Sequence, residues 1–401
     1  MHLSASATSS WREQLLNPRI LVLLAVVFSI DCMTGLVVIA FANSYLIETR
    51  HAPASYPAYA LGIYGFVKLV AAPVGGWLLD RVRAGTVVGF ICVVELLGLA
   101  VILVTATANG FLVGVGFLST GIAVAWLLVF HALGEASEAD DRASATAYVG
   151  LTSAAATAFG FGIAAVIAET SHWRIAFFVA LALATVSSVL LWRLYPASQR
   201  VGHLMQRSES VGQPVDRRRQ LVAGTVIFGH FVAVTATLAV FGPFVVRTLG
   251  LSLLHAGVLL LPAGAVAAGS MFIAGRISKP DNRLHEVALL YSVGAIAVIA
   301  AAGVHSPWVF AVVAIPLALS IGGAQPLLNA SLLDVSHAAD RTGTVLGWLF
   351  FAEGLGSVAG PMLIGEMIDV SGTVRASMVL LAVIDGLMVV LALTGSRISR
   401  I

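Results

Sequence analysis

Six ionisable side chains lie deep inside apolar stretches of this 401-residue chain: Asp31, Lys68, Glu95, His230, Glu353 and Asp385. On insertion scales an ionised group so placed costs about 2.5–3.5 kcal/mol, so each needs a partner or a task. Two kinds of chemistry fit these residue types. A carboxylate or an imidazole can exchange a proton or hold a cation. A lysine beside a carboxylate can instead form a buried ion pair, and Lys68 is placed to neutralise Asp31 or Glu95 in that way. Whether Lys68 reaches Asp31 decides whether Asp31 can exchange a proton near neutrality. On this reading Asp31 and Glu353 are the leading proton or cation sites, with His230 assisting, whereas Glu95 and Asp385 lean towards structural roles. Asp31 and His230 are too few to hold a metal ion. The absence of a GxxxxGK[ST] phosphate cradle argues against ATP-driven work.

The elements that must position these groups are long apolar helices. Hydrophobic residues make up 59% of the chain and charged ones only 10%, against about 25% charged in a soluble domain. The apolar surface must face lipid rather than water. A spanning helix needs about 20 apolar residues, and such stretches fall at 20–43, 58–79, 85–106, 110–133, 143–168, 173–195, 221–244, 253–275, 285–304, 308–331, 343–367 and 374–395. The runs are continuous rather than alternating, which selects helices over a barrel. The expected fold is therefore an all-α membrane protein of 12 transmembrane helices. Cys32 and Cys92 sit inside apolar runs and offer no disulfide or zinc framework. The polar start of the chain carries no cleavable signal pattern.

Lys and Arg are distributed unevenly between the two sides of such a bundle. With the N-terminus inside, the inner segments hold 17 of them and the outer segments four, Arg50, Arg174, Arg247 and Arg375. This places both termini in the cytoplasm. The basic stretch 196–220 then reads as a cytoplasmic linker between an N-terminal six-helix bundle, 1–195, and a C-terminal one, 221–401. Displacing the sequence by 199 residues superimposes the halves: Arg19 meets Arg218, Gly65 meets Gly264, Gly76 meets Gly275, Phe111 meets Phe310, and Asp141-Arg142 meets Asp340-Arg341. Asp31 and His230 fall at equivalent positions of the first and seventh spans. Six spans return the chain to its starting side, so the repeats are parallel, a design suited to two halves rocking about a midplane cavity.

The segment Gly76-Trp77-Leu78-Leu79-Asp80-Arg81-Val82-Arg83 resembles the loop signature after the second helix of the major facilitator superfamily. The resemblance implies that Gly76, Asp80, Arg81 and Arg83 form a gating motif that holds the cytoplasmic side closed, with Arg83 standing where the family has a second Gly. In the eleventh span, Gly347, Gly356, Gly360-Pro361 and Gly365 are similar to the Gly spacing of the antiporter signature, which drug exporters carry in span five. Here Gly356, Gly360 and Pro361 are expected to serve helix packing. In the family, spans one, four, seven and ten line the central cavity. Trp126, His131, Gln325 and Asn329 therefore become further proton- or substrate-binding candidates. Glu135, Glu138, Asp140 and Asp141 crowd the end of span four, either solvated or paired with Arg142.

The resemblance implies a drug/proton-antiporter-like secondary transporter. The expected function is proton-coupled export of amphipathic or cationic compounds by alternating access, from a bacterial cytoplasmic (inner) membrane. The expected partners are a small-molecule substrate, protons and the lipid bilayer. No cofactor, no nucleic acid and no enzymatic activity are expected, and the protein is read as a monomer. An uptake symporter for a small organic anion, using Lys68 and His230, is the alternative. A non-transporting receptor or assembly factor is the reading from another class.

Overall fold

The computed structural model describes residues 18–41, 46, 56–105, 107–170, 173–195, 217–251, 253–337 and 341–399. Among these residues the chain forms twelve long α-helices. They are α1 (Pro18–Met33), α2 (Tyr56–Leu79), α3 (Ala84–Val104), α4 (Ala108–Ala136), α5 (Arg142–Thr170), α6 (Arg174–Leu194), α7 (Arg217–Pro243), α8 (Leu253–Ile277), α9 (Arg283–Ala302), α10 (Pro307–His337), α11 (Thr342–Ser371) and α12 (Val374–Ser399). Among the described residues, eleven of the helices carry windows long and apolar enough to cross a membrane. The spans expected from the sequence are recovered as helices, most with ends shifted by a few residues and the longest extensions in α7, α10, α11 and α12. In α10 the helix runs on through a polar last turn to His337, where Ser336 Oγ donates to Leu333 O at 3.1 Å.

Local chemistry sets several helix ends. Thr107 caps α4, its hydroxyl accepting from Gly110 N at 3.1 Å. Gly372 ends α11 in the left-handed region, at φ 67°, and its N–H donates to Ile368 O; a side chain there would be strained. The first helix of each half unwinds into a π-helical end, Thr34–Phe41 after α1 and Phe244–Thr248 after α7, a local break often found at functional sites. Outward-facing Phe66, Leu238, Trp308 and Val370 are each more than 60% exposed. Such apolar surface suits a lipid environment rather than water.

The helices cluster as two units, Met1–Glu138 with Thr152–Ser210, and Ala139–Leu151 with Val211–Ile401. The start of α5 thus groups with the second unit. Within the first unit α3 packs on α4 and α6, α2 on α4, and α1 on α6 and α4. Within the second, α9 packs on α10 and α12, α8 on α10, and α7 on α12 and α10. The second set repeats the first with each helix number raised by six, so the repeat read from the sequence is carried into packing.

Candidate functional site

In the first unit Asp31 sits in a fully buried stretch of α1, flanked by Ile30, Cys32 and Met33, with 6% of its surface exposed. The helix passes close to α5 at this level: a Cβ on Gly35 would lie 2.6 Å from Thr157 O. Lys68 is half-buried on α2, and its ammonium lies 5.1 Å from the centre of the Tyr64 ring one turn earlier, a cation–π contact. Glu95 is completely buried on α3, and neither carboxylate oxygen has a hydrogen-bond partner among the described residues. Its side chain fills the space that a Cβ on Gly121 of α4 would need. The Lys68–Glu95 pair expected as one alternative is therefore not formed. Trp126 is half-buried, with its ring centre 5.8 Å from that of Phe130.

His131 belongs to a different cluster, near the end of α4. It is buried, with Nδ1 3.3 Å from the Tyr195 hydroxyl and 3.7 Å from Glu135 Oε1. Tyr195 donates its hydrogen to Leu128 O at 3.0 Å, so His131 donates from Nδ1 to the phenol oxygen. Asp80 interacts electrostatically with His131, which joins this cluster to the Gly76–Arg83 loop. In that loop Gly76 is buried and Asp80 half-buried. The exposed Arg81 guanidinium stacks 4.4 Å from the Trp77 ring centre. Arg83, also exposed, adopts extended backbone and its carbonyl accepts from Thr86 and Val87 at the start of α3.

In the second unit His230 of α7 is 1% exposed and its Nδ1 lies 2.6 Å from the Tyr291 hydroxyl of α9. Asp385 of α12 is equally buried, and its Oδ2 would lie 3.3 Å from a Cβ on Gly294, one turn after Tyr291 on α9. The structure thus brings two of the candidates, His230 and Asp385, to one tyrosine. Glu353 is half-buried on α11, and Gln325 and Asn329 are half-buried one turn apart on α10. Gly356 and Gly360 seat α11 on α7, where a Cβ on Gly360 would lie 2.5 Å from Val232 O and 2.9 Å from Ala236 N. Pro361 follows on the exposed side of the helix. Beside this seam, α7 and α11 border an open groove of about 630 Å³ lined by Arg217, Gln220, Thr225, Phe228, Trp348 and Leu355.

Arg142 does not pair with the acidic cluster Glu135–Asp141. Its Nη1 donates to Asp334 Oδ1 at 2.8 Å, and Arg283 Nη1 donates to the other Asp334 oxygen. Arg283 also reaches Ala139 O at 2.6 Å. Of the two sequence alternatives for these acidic residues, pairing with Arg142 is the one not formed, because proximity along the chain says nothing about which helix end lies opposite. Of the residues missed, Asp334 carried a signal: it falls 199 positions after Glu135. Tyr195 and Tyr291 carried none, being aromatic residues at an apolar run's end and inside one. No three His, Cys, Asp or Glu side chains lie together as metal ligands among the described residues.

These features agree with comparisons to known proteins. The human organic anion transporter MFSD10 (TETRAN) superimposes with a TM-score of 0.77 at 13% identity, covering 94% of this chain and 100% of that one. FucP, a major facilitator transporter captured in its outward conformation, superimposes at 0.69 with 12% identity, covering 95% and 99%. A variant of the same E. coli fucose:proton symporter superimposes at 0.66 with 12% identity, covering 94% and 98%. No curated protein sequence matches significantly. Residues 23–361 match the family model of the Major Facilitator Superfamily, and the chain belongs to that superfamily of secondary transporters.

Proposed function

We propose that this transporter is a proton-coupled exporter of small amphipathic or cationic organic compounds, with Asp31 alternating between proton and substrate. The observation that carries the reading is the burial of Asp31 in the last turn of α1, between Ile30 and the buried Cys32 and Met33 in the chain and just before the π-helical segment Thr34–Phe41. A carboxylate is retained in such surroundings at a cost, which a binding role explains. A π-helical end leaves the backbone beside it able to shift as the site changes occupancy. Glu353, half-buried on α11, is the second acidic group of the reading, with His230 at the position equivalent to Asp31. The protein is expected to act in a cytoplasmic membrane of a bacterial cell, with both termini inside and as a monomer.

The test is transport in proteoliposomes under an imposed pH gradient. Counterflow of a cationic dye against the proton gradient is expected in the wild type and is lost in Asp31→Asn. Accumulation of substrate along with the proton gradient refutes export.

A second reading has its own support. The groove between α7 and α11 sets Arg217 and Gln220 above Phe228, Trp348 and Leu355, a lining that suits an amphipath with an anionic head. Uptake of an organic anion through this groove predicts that Arg217→Gln weakens transport of a carboxylate substrate and leaves that of a cation intact.

A further inference from the structure

The polar cluster around Tyr291 has more buried polar atoms than hydrogen bonds. His230 Nδ1 meets the Tyr291 hydroxyl at 2.6 Å, but His230 Nε2, Asp385 Oδ2 and Ser320 Oγ are buried with no hydrogen-bond partner among the described residues. Four helices contribute: α7 gives His230, α9 Tyr291, α10 Ser320 and α12 Asp385. The space is opened by a glycine. A Cβ on Gly294 would lie 2.6 Å from Ser320 Oγ and 3.3 Å from Asp385 Oδ2, and a Cβ on Gly229 would meet the Met388 sulfur one turn from Asp385. Buried polar atoms in native structures are almost always satisfied, and those that are not mark strain or function.

The net charge of the cluster limits what it can hold. No ion pair to Asp385 or His230 exists among the described residues. Of the helices packed on α12, α7 faces the site with His230 and α9 with Tyr291. On α11, Glu366 and Asp369 are exposed and Glu353 is half-buried. An isolated ion at this depth is costly, whereas a neutral pair is tolerated. Asp385 and His230 together are neutral in two forms: carboxylic acid with neutral imidazole, or carboxylate with imidazolium. Both forms contain one exchangeable proton, and moving it from the carboxyl to the imidazole leaves the total charge unchanged.

We infer that His230, Tyr291 and Asp385 form a proton-binding site within the second unit, separate from Asp31, in which one proton resides on the carboxyl or on the imidazole and the cluster stays neutral either way. Tyr291 is the positioning residue, since its hydroxyl orients His230 through Nδ1. Ser320 and the bare Gly294 leave room for the carboxyl. Use of the site in transport rests on the proton-coupled reading above; its existence does not.

The test is infrared spectroscopy of the purified full chain in lipid nanodiscs across a pH series, in an Asp31→Asn, Glu95→Gln background that removes the other buried carboxyls from the spectrum. A carboxylic-acid carbonyl band is expected, lost in Asp385→Asn and shifted in frequency in Tyr291→Phe. His230→Gln is expected to move the pH midpoint of that band. A carboxyl spectrum unchanged by Asp385→Asn overturns the site. Should Asp385→Asn not fold, a band whose frequency and midpoint are indifferent to both Tyr291→Phe and His230→Gln overturns it equally. The measurement needs neither substrate nor gradient, so it can fail while export through Asp31 stands, and succeed while export fails.

Discussion

Asp334 of α10 accepts from Arg283 of α9 with one oxygen and from Arg142 of α5 with the other, and Arg283 is only 1% exposed. Removing one partner of a buried pair leaves the other charge uncompensated, which typically costs about 3–5 kcal/mol. Asp334→Asn strands two guanidinium groups, so thermal unfolding of the purified protein should show a loss of about that size. Replacing Arg283 by Met leaves Asp334 with Arg142, and should cost distinctly less.

Gly360 and Gly365 lie five residues apart on α11 and differ in what faces them. A Cβ on Gly360 meets the α7 backbone, whereas one on Gly365 meets nothing within 4 Å. Gly360→Val should therefore destabilise by about 1–3 kcal/mol, the usual cost of overpacking. Gly365→Ala should be close to neutral in the same melting assay.

The third and fourth helices of each half meet at one repeated position, filled in opposite ways. Glu95 packs on Gly121 in the first unit; displaced by 199, these positions hold Gly294 and Ser320. Gly121→Ser alone drives its side chain into Glu95 and should destabilise. Adding Glu95→Gly copies the arrangement of the second unit and should recover stability. A double-mutant cycle is expected to give an interaction of about 0.5–3 kcal/mol; additive effects would mean that the two sites do not share the space.

Tyr195 ties the end of the first unit together through Leu128 O and His131. Tyr195→Phe keeps the ring and removes both bonds. A loss of about 1 kcal/mol is expected by thermal melting.

A phosphatase fusion at Ile401 should be inactive in bacterial cells and a cytoplasmic reporter active, if the Lys and Arg bias sets the orientation as expected.

Spans, repeat and family were legible in the amino-acid sequence because they depend on quantities that add along a chain. Twenty apolar residues in a row must become a helix in lipid, whatever surrounds them. The Gly76–Arg83 loop and the 199-residue displacement are likewise patterns in one dimension. Pairing is not. Lys68 was a reasonable partner for Glu95, yet it stacks on Tyr64 while Glu95 packs against Gly121. For the acidic residues beside Arg142 the sequence left solvation and pairing with Arg142 both open, and Arg142 binds Asp334. The meeting of His230 with Tyr291, near Asp385, joins three helices that are far apart in the chain. Helix rotation and the glycines that permit close approach decide which polar groups share a buried space. Only the tertiary structure holds that information, because a buried group's partner is set by the helix face opposite it, not by its neighbours in sequence.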